Sequence, residues 1–293
     1  MNSTNSPAPK DWLPRLVVAP SFIISLLFIY GLMAWNGYLS MSASRILPNY
    51  DFVGLQHYGA LLDSDRFHVA MRNMAVFGFF FIGGAMVLGV LLAILLDQKV
   101  RGEGVLRTIY LYPMAISFIV TGTAWKWILN PGLGLQHLMH SWGFTDFKFE
   151  WLVDQDMAIY CVVIAGVWQS AGFVMALFLA ALRGIDDAII KAAQVDGASL
   201  PTIYWRIILP SLGPVFFSTL MVVSHLAIKS FDLVMALTAG GPGYATDLPA
   251  TFMYATAFTR GQIGVGAASA TVMLATVAAI VVPYLYSELR SKR

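Results

Sequence analysis

Apolar residues run in long stretches along this chain, and polar or charged residues gather between them. A helix needs roughly 20 apolar residues to cross the hydrocarbon of a bilayer. Six stretches reach this length, and each predicts a membrane-spanning helix: about 16–38, 73–96, 105–129, 158–182, 207–237 and 263–285. The fifth is the longest and contains polar groups. The pattern therefore predicts an all-α membrane protein with six transmembrane helices in one domain, residues 15–293, after a tail of residues 1–14.

Composition agrees with a lipid environment. Of the 293 residues, 58% are hydrophobic and only 12% are charged, and the mean hydropathy is +0.71. A soluble domain carries about twice that charged share. The net charge of +2 is too small to favour nucleic acid. The single cysteine, Cys161, excludes an intramolecular disulfide and a multi-cysteine metal site.

The loops between the predicted spans differ in their basic residues. One set of loops and termini holds Lys10, Arg15, Lys99, Arg101, Arg107, Arg183, Lys191, Arg206, Arg290, Lys292 and Arg293. The alternate set holds Arg45, Arg66, Arg72, Lys148 and Arg260. Lys and Arg favour the cytoplasmic side of a membrane. Both termini are therefore expected in the cytoplasm. The first apolar stretch is too long for a signal peptide and predicts a retained helix.

Residues 184–206 form a polar segment between the fourth and fifth spans, and its residues predict two short helices. Asp186 or Asp187 can cap a helix over 188–195, and Gly197 can end it in a left-handed conformation. Pro201 suits the first turn of a second helix after Ser199. Such a segment is either an ordinary amphipathic interfacial helix or a docking element for a soluble partner.

The spacing within this segment is distinctive: Ala192-Ala193, three residues, Gly197, nine residues, Ile207, one residue, and Leu209-Pro210. It resembles the "EAA" loop of ABC-importer permeases. Nearly the whole chain is similar to the permease subunits of carbohydrate-uptake ABC importers, the group that serves maltose, glycerol-3-phosphate and glucose. Further similar stretches are 230–233, 238–243 and 251–258, and within the group glucose and mannose importers look most similar.

This resemblance implies a type I ABC-importer permease fold in a bacterial inner membrane. The chain would form a sugar path with a second permease subunit and would work with a homodimeric ABC ATPase and an extracytoplasmic sugar-binding protein. ATP would bind to the ATPase, so the chain would be no enzyme and need no cofactor. The residues that the resemblance assigns to ATPase coupling are Lys191, Ala192, Ala193, Asp196, Gly197 and Ala198.

One position departs from the family pattern. The loop usually begins with glutamate, which can contact an arginine of the ATPase, and here position 191 is lysine. An ammonium group cannot accept a hydrogen bond from arginine and repels it. Either the groove of the partner differs, or another acid, Asp187 or Asp196, makes the contact. The small residues Ala192, Ala193 and Gly197 are expected to let a partner approach closely.

Polar residues inside the predicted spans are candidates for a substrate path, because they are costly in lipid. Trp168 and Gln169 in the fourth span, and Lys229 and Asp232 in the fifth, are the main ones. A second interpretation makes Trp168 and Gln169 a helix contact and Lys229 with Asp232 a packing pair on one helix face. Asn73 lies near a span end, where capping or solvation is expected.

Catalytic chemistry has no candidate residues in this sequence. His137 and His140 have the spacing of metal ligands, but no third ligand accompanies them, so no metal site is predicted. Nucleotide-binding and hydrolase motifs are absent, and Gly240-Gly241-Pro242-Gly243 is typical of a turn. The alternative function is an ion-coupled secondary transporter of a small polar solute, for which Asp232 would be the deep acid.

Overall fold

The computed structural model describes residues 12–98 and 100–291, which fold almost entirely into helices. The α-helices there are α1 (Trp12–Ser25), α2 (Gly31–Leu39), α3 (Gln56–Leu62), α4 (Asp65–Asp97), α5 (Glu103–Ala115), α6 (Phe118–Ile128), α7 (Leu135–Ser141), α8 (Ala158–Leu182), α9 (Asp187–Val195), α10 (Leu200–Ile203), α11 (Leu209–Ser211), α12 (Gly213–Ile228), α13 (Asp232–Leu237), α14 (Pro249–Tyr254) and α15 (Ile263–Ser291). Short π-helical turns lie at Leu26–Tyr30, Tyr204–Ile208 and Ala255–Thr259.

Several residues used in the sequence analysis fall outside this description. Residues 1–11 of the predicted tail lie outside the described residues, as do Lys10, Lys99, Lys292 and Arg293. The side chains of Arg15, Asp187 and Arg290 also lie outside it.

The all-α membrane fold is confirmed. Within the described residues, four helical stretches are long and apolar enough to cross a bilayer: Leu16–Leu39, Asp65–Asp97, Ala158–Leu182 and Ile263–Pro283. Two bent helix pairs, Glu103–Ala115 with Phe118–Ile128 and Leu200–Ser211 with Gly213–Ile228, bring the number to six if each counts as one span. The second span is longer than predicted, because α4 begins at Asp65.

The third span is broken, so the prediction of one helix over 105–129 is wrong. α5 and α6 meet at an angle of 102°. Ile116 between them is extended, and the Ser117 side chain accepts a hydrogen bond from the Val120 amide to cap α6. Pro113 and Ser117 are the local signals for this break, since proline interrupts a helix and serine starts one.

The fifth span is broken twice, so the prediction of one helix over 207–237 is also wrong. A bend of 70° separates the helix that ends at Ser211 from α12. Pro214 stands in the first turn of α12, where its missing N–H costs nothing. A second break falls after Ile228, and Asp232 begins the separate helix α13.

The core forms where α4 packs along α8, the most extensive helix contact in the described residues. Small residues allow this close approach. A Cβ atom added to Gly84 would lie 2.9 Å from a Val167 methyl, and one added to Gly89 would lie 2.5 Å from the Val174 Cβ. Gly84 and Gly89 therefore serve close helix packing, whereas a Cβ atom added to Gly83 would meet no neighbour within 4 Å.

α4 also defines the two ends of the helical bundle. Its first turns contact the turn at 238–248, because Asn73 donates hydrogen bonds to the carbonyls of Ala245 and Asp247. Its last residue, Asp97, accepts a hydrogen bond from Tyr204 in the 184–206 segment. The 33 residues of α4 cover about 50 Å at 1.5 Å per residue. The turn at 238–248 and the 184–206 segment are therefore at opposite ends of the molecule.

Candidate functional site

The 184–206 segment forms the two predicted helices. The Asp186 side chain accepts a hydrogen bond of 2.9 Å from the Ala188 amide and so caps α9. Gly197 follows α9 with a φ of +78°, the left-handed conformation that was predicted for it. Ser199 precedes α10, with proline in the first turn. The local signals in the sequence therefore place both helices and the turn between them correctly.

Most of the residues assigned to coupling are on the surface of the segment. Lys191, Ala192, Asp196 and Gly197 are exposed, and the neighbouring Val195 side chain is 88% exposed. Ala198 is half-buried. A Cβ atom added to Gly197 would meet no heavy atom within 4 Å. An open strip of small side chains thus runs along α9 and the turn that follows it.

Ala193 does not face outward, so the expectation that all three small residues of the 184–206 segment are open to a partner is wrong for this one. Its side chain is only 8% exposed and belongs to the main apolar core. It lies one residue from the exposed Ala192, and successive residues on a helix point about 100° apart, so the two cannot share a face. Ala193 therefore holds α9 to the bundle, and Ala192 and Gly197 remain open to contact.

A cavity of about 600 Å³ lies between this segment and the span ends beside it. Two polar contacts border it. The Tyr204 hydroxyl donates to Asp97 Oδ2 at 2.5 Å and accepts from Gln98 Nε2 at 2.7 Å, and Arg183 pairs with Glu103 at 2.6 Å. None of these contacts was predicted from the sequence. The only signal for them was the position of Asp97 and Glu103 just outside apolar stretches.

Trp168 and Gln169 are neighbours on α8 with different environments. Trp168 is 41% exposed and packs edge-to-face on Trp125 of α6, with ring centroids 5.8 Å apart. Gln169 is 4% exposed, and its amide donates a 2.7 Å hydrogen bond to the Ile116 carbonyl at the break of the third span. A carbonyl that the break removes from helical pairing is thereby satisfied. The Oε1 atom of Gln169 has no partner among the described residues.

Lys229 and Asp232 are not on one helix face, so the alternative interpretation of them as a packing pair on one face is wrong. Lys229 directly follows α12 and Asp232 is the first residue of α13, so a break lies between them. Both residues are exposed. The ion pairs within the described residues are Arg66 with Asp247 and Arg183 with Glu103, and neither involves Lys229 or Asp232. Each charge is therefore available to solvent or to another molecule.

Three aromatic rings extend from this second break. Phe231 lies between Lys229 and Asp232, and its ring centroid is 5.0 Å from that of Tyr254. Tyr254 in turn lies 5.3 Å from Phe258, and both Tyr254 and Phe258 are exposed. In the sequence, Tyr254 and Phe258 were distinguished only by lying in the family-like stretch 251–258.

The break in the third span and the second break in the fifth span belong to one packed unit. α6 follows the first break and α13 follows the second, and these two helices pack closely. A Cβ atom added to Gly122 of α6 would lie 2.7 Å from the Ala236 Cβ of α13. Trp168 contacts this unit through Trp125 of α6. Lys229 and Asp232 lie at the break that precedes α13. The four predicted path residues therefore border the same pair of short helices, although they do not form a single pocket.

A buried ion pair, which was not predicted from the sequence, fixes the turn at 238–248. Arg66 Nε contacts Asp247 Oδ2 at 2.5 Å, and the Asp247 side chain is 1% exposed. Thr251 donates to the other carboxylate oxygen at 3.0 Å. Asn73 is buried beside this pair, so the expectation that it is capping or solvated is wrong. Arg66 and Asn73 are seven residues apart and therefore share a face of α4.

Comparisons with known proteins agree with this architecture. Residues 85–291 match the family described as binding-protein-dependent transport system inner membrane component. A probable ABC transporter permease of Pyrococcus horikoshii is 38% identical over 92% of this chain and 94% of its own length. A xylose/arabinose import permease of Haloferax volcanii is 36% identical over 90% of this chain and 84% of its own.

A solved structure has the same fold. It is a bacterial ABC transporter involved in the import of the acidic polysaccharide alginate, and one of its chains superposes with a TM-score of 0.83. The superposition covers 97% of both chains, at 23% sequence identity. The broken third and fifth spans and the exposed 184–206 segment thus occur in a chain whose overall fold is that of a transporter subunit.

Proposed function

Because this chain belongs to the family of binding-protein-dependent transport system inner membrane components, we propose that it is the membrane-spanning subunit of an ATP-driven sugar importer. It forms the translocation path with a second permease subunit. A homodimeric ABC ATPase binds and hydrolyses ATP, and an extracytoplasmic sugar-binding protein delivers the sugar. The chain itself carries no catalytic residue and binds no cofactor in this proposal.

The exposed 184–206 segment is the observation that carries the proposal. α9 presents Lys191 and Ala192 outward, and Asp196 and Gly197 follow on the same open surface. A soluble partner can approach such a strip closely because a Cβ atom added to Gly197 would meet no heavy atom of the described residues within 4 Å. Asp196 is the acid in this strip that can receive an arginine of the ATPase in place of the usual glutamate at position 191.

The surface around the break in the third span and the second break in the fifth span supports a path for a sugar that this chain shares with the second permease. Lys229 and Asp232 are exposed and unpaired among the described residues, and ionisable groups at membrane depth generally face water or a partner. The rings of Phe231 and Tyr254 offer flat apolar faces beside these charges. A sugar ring can stack on such a face while its hydroxyl groups bond to polar side chains. Trp168 offers a further exposed ring. The Haloferax relative is a xylose/arabinose import permease, which supports a sugar as the substrate class.

We place the chain in a bacterial inner membrane with both termini and the 184–206 segment in the cytoplasm, from the distribution of Lys and Arg. The turn at 238–248 then faces outward. A phosphatase reporter is active only outside the cytoplasm, so fusions after Gly143 and Gly243 should be active and a fusion after Asp196 inactive. An inactive fusion at Gly143 would reverse this topology.

Reconstitution tests the proposed function. The chain should co-purify with an ATPase and a second permease encoded beside it, and the complex with its binding protein should import a sugar into proteoliposomes only when ATP is present. Xylose, arabinose, maltose and glucose are the sugars to test. The ion-coupled alternative predicts uptake by this chain alone, driven by a proton or sodium gradient and independent of ATP. Such uptake would contradict the importer proposal.

Replacing Lys229 with methionine and Asp232 with leucine together should reduce sugar uptake by about tenfold, the effect of roughly 1.4 kcal/mol. The reason is that both charges face the path and are not a self-contained pair. The complex should still assemble. A matched control is Lys148→Met with Asp146→Leu, which removes the same two charges from an exposed loop. Full uptake by the Lys229/Asp232 double variant would remove these residues from the path.

A further inference from the structure

α4 is one continuous helix that touches functional elements at both ends. It has no proline and runs for 33 residues. The third and fifth spans, by contrast, are bent by 102° and 70°. The fifth span therefore does not join the 184–206 segment to Lys229 through one straight helix. α4 is the helix that joins the two ends of the bundle.

At its first end, α4 holds the turn at 238–248 through side chains and not only through apolar packing. Arg66 binds the buried Asp247 carboxylate, and its guanidinium carbon lies 4.3 Å from the centre of the Tyr244 ring. Asn73 adds hydrogen bonds of 2.9 and 3.0 Å to the backbone of the turn. A buried ion pair resists separation because each charge would be left unpaired in a low dielectric. The turn and α4 should therefore move together.

At its other end, α4 holds the 184–206 segment through Asp97. The Tyr204 hydroxyl lies between Asp97 and Gln98 and bonds to both. Tyr204 begins the π-helical turn that directly follows α10. Besides this polar contact, the segment meets the bundle through apolar side chains, among them Ala193 and Ile203. Apolar contacts tolerate sliding, whereas the hydrogen bond to Asp97 fixes one position.

We propose that α4 transmits movement between the turn at 238–248 and the 184–206 segment, with Arg66–Asp247 and Asp97–Tyr204 as the positioning contacts at its two ends. This rests on the proposed function, in which the segment docks on the ATPase. A displacement of the segment by ATP-driven closure of the ATPase then reaches the opposite end of the molecule through one rigid element. By linkage, an event at the turn biases ATP binding to the same extent.

The experiment reads the turn while the ATPase is closed. A fluorophore is attached to an Ala239→Cys variant, because Ala239 is exposed in the turn and the native Cys161 is buried. The chain is purified in complex with its second permease and ATPase, and MgATP with vanadate is added to trap the closed ATPase. Trapped nucleotide is measured in the same sample. We expect a fluorescence change on trapping.

Two variants remove one contact at each end. Tyr204→Phe deletes the hydroxyl and keeps the ring, and Arg66→Gln deletes the charge that pairs with Asp247. Each should reduce the fluorescence change about fivefold, the lower range of allosteric coupling, at equal trapped nucleotide. The double variant should lose little more than either single variant, because both act on one element. Tyr58→Phe is the matched control, since it removes another tyrosine hydroxyl bond, to Ser40 at 2.7 Å, that does not involve α4.

Several results would overturn the proposal. These are no fluorescence change in the parent complex despite trapped nucleotide, a full change in Tyr204→Phe, independent losses that multiply in the double variant, or an equal loss in Tyr58→Phe. Failure of the proposed function gives a different result, because an ATPase would then neither co-purify nor trap nucleotide.

Discussion

Replacing Gly197 with tryptophan is expected to separate ATP hydrolysis from sugar uptake in the assembled importer. Gly197 has a φ of +78° on the open strip of the 184–206 segment. A tryptophan there is strained by roughly 1–2 kcal/mol. It also places a large ring on the surface that we propose as the docking site of the ATPase. We expect uptake per ATP hydrolysed to fall at least about tenfold. Uptake and hydrolysis are measured together in proteoliposomes.

Two control variants separate bulk from strain and from position. Gly197→Asn introduces a residue that tolerates the left-handed conformation and adds little bulk. This variant should therefore retain most of the uptake. Gly143→Trp places the same bulky residue at another exposed glycine with positive φ and no neighbour within 4 Å, but far from the segment. It should behave like the parent. Normal uptake by Gly197→Trp would argue strongly against docking at this surface.

Replacing Gly172 with alanine is expected to damage the fold itself. α8 approaches α5 so closely at this point that an added Cβ atom would overlap the Tyr110 carbonyl oxygen. Backbone cannot move aside as a flexible side chain can, so the two helices must separate. Overpacking of this kind costs about 3 kcal/mol, which exceeds the gain of up to about 1 kcal/mol from replacing a helical glycine with alanine.

The unfolding of the purified chain in detergent measures this effect. Gly172→Ala should lower the midpoint of thermal unfolding and the yield of assembled complex. Gly83→Ala is the control, because Gly83 lies in the long helix α4 and has no neighbour within 4 Å of an added Cβ. It should be neutral or slightly stabilising. Equal stability of the two variants would show that α5 and α8 are not in close contact.

The 184–206 segment is the part of the candidate site that could be predicted best. Its signals are local: Asp186 caps, Gly197 turns and Ser199 with Pro201 begins a new helix. Each acts within about one helical turn, so no knowledge of the remaining chain is needed. Pro113 and Ser117 carried an equally local signal for the break in the third span. Hydropathy does not reveal this break, because the residues on both sides of it are apolar.

The contacts that organise the site depend on residues far apart in sequence. Arg66 and Asp247 are 181 positions apart, Asp97 and Tyr204 are 107 apart, and Gln169 reaches Ile116 across 53 positions. Nothing near Asp247 in the sequence indicates that its carboxylate is buried and paired. Such pairings are defined only when α4 meets the turn at 238–248 and the 184–206 segment, and when α8 meets the break after α5.

The sequence by itself determined that the chain is helical, that it lies in a membrane, and where its exposed 184–206 segment begins and ends. These features follow from apolar length and from local capping chemistry. The tertiary structure alone decided which residues face inward, as Ala193 does. It also decided which side chains contact the helix breaks and which charges form ion pairs. The physical reason is that lipid and a neighbouring helix are both apolar. The hydrophobic pattern of a span therefore cannot distinguish the surface that meets lipid from the surface that meets protein.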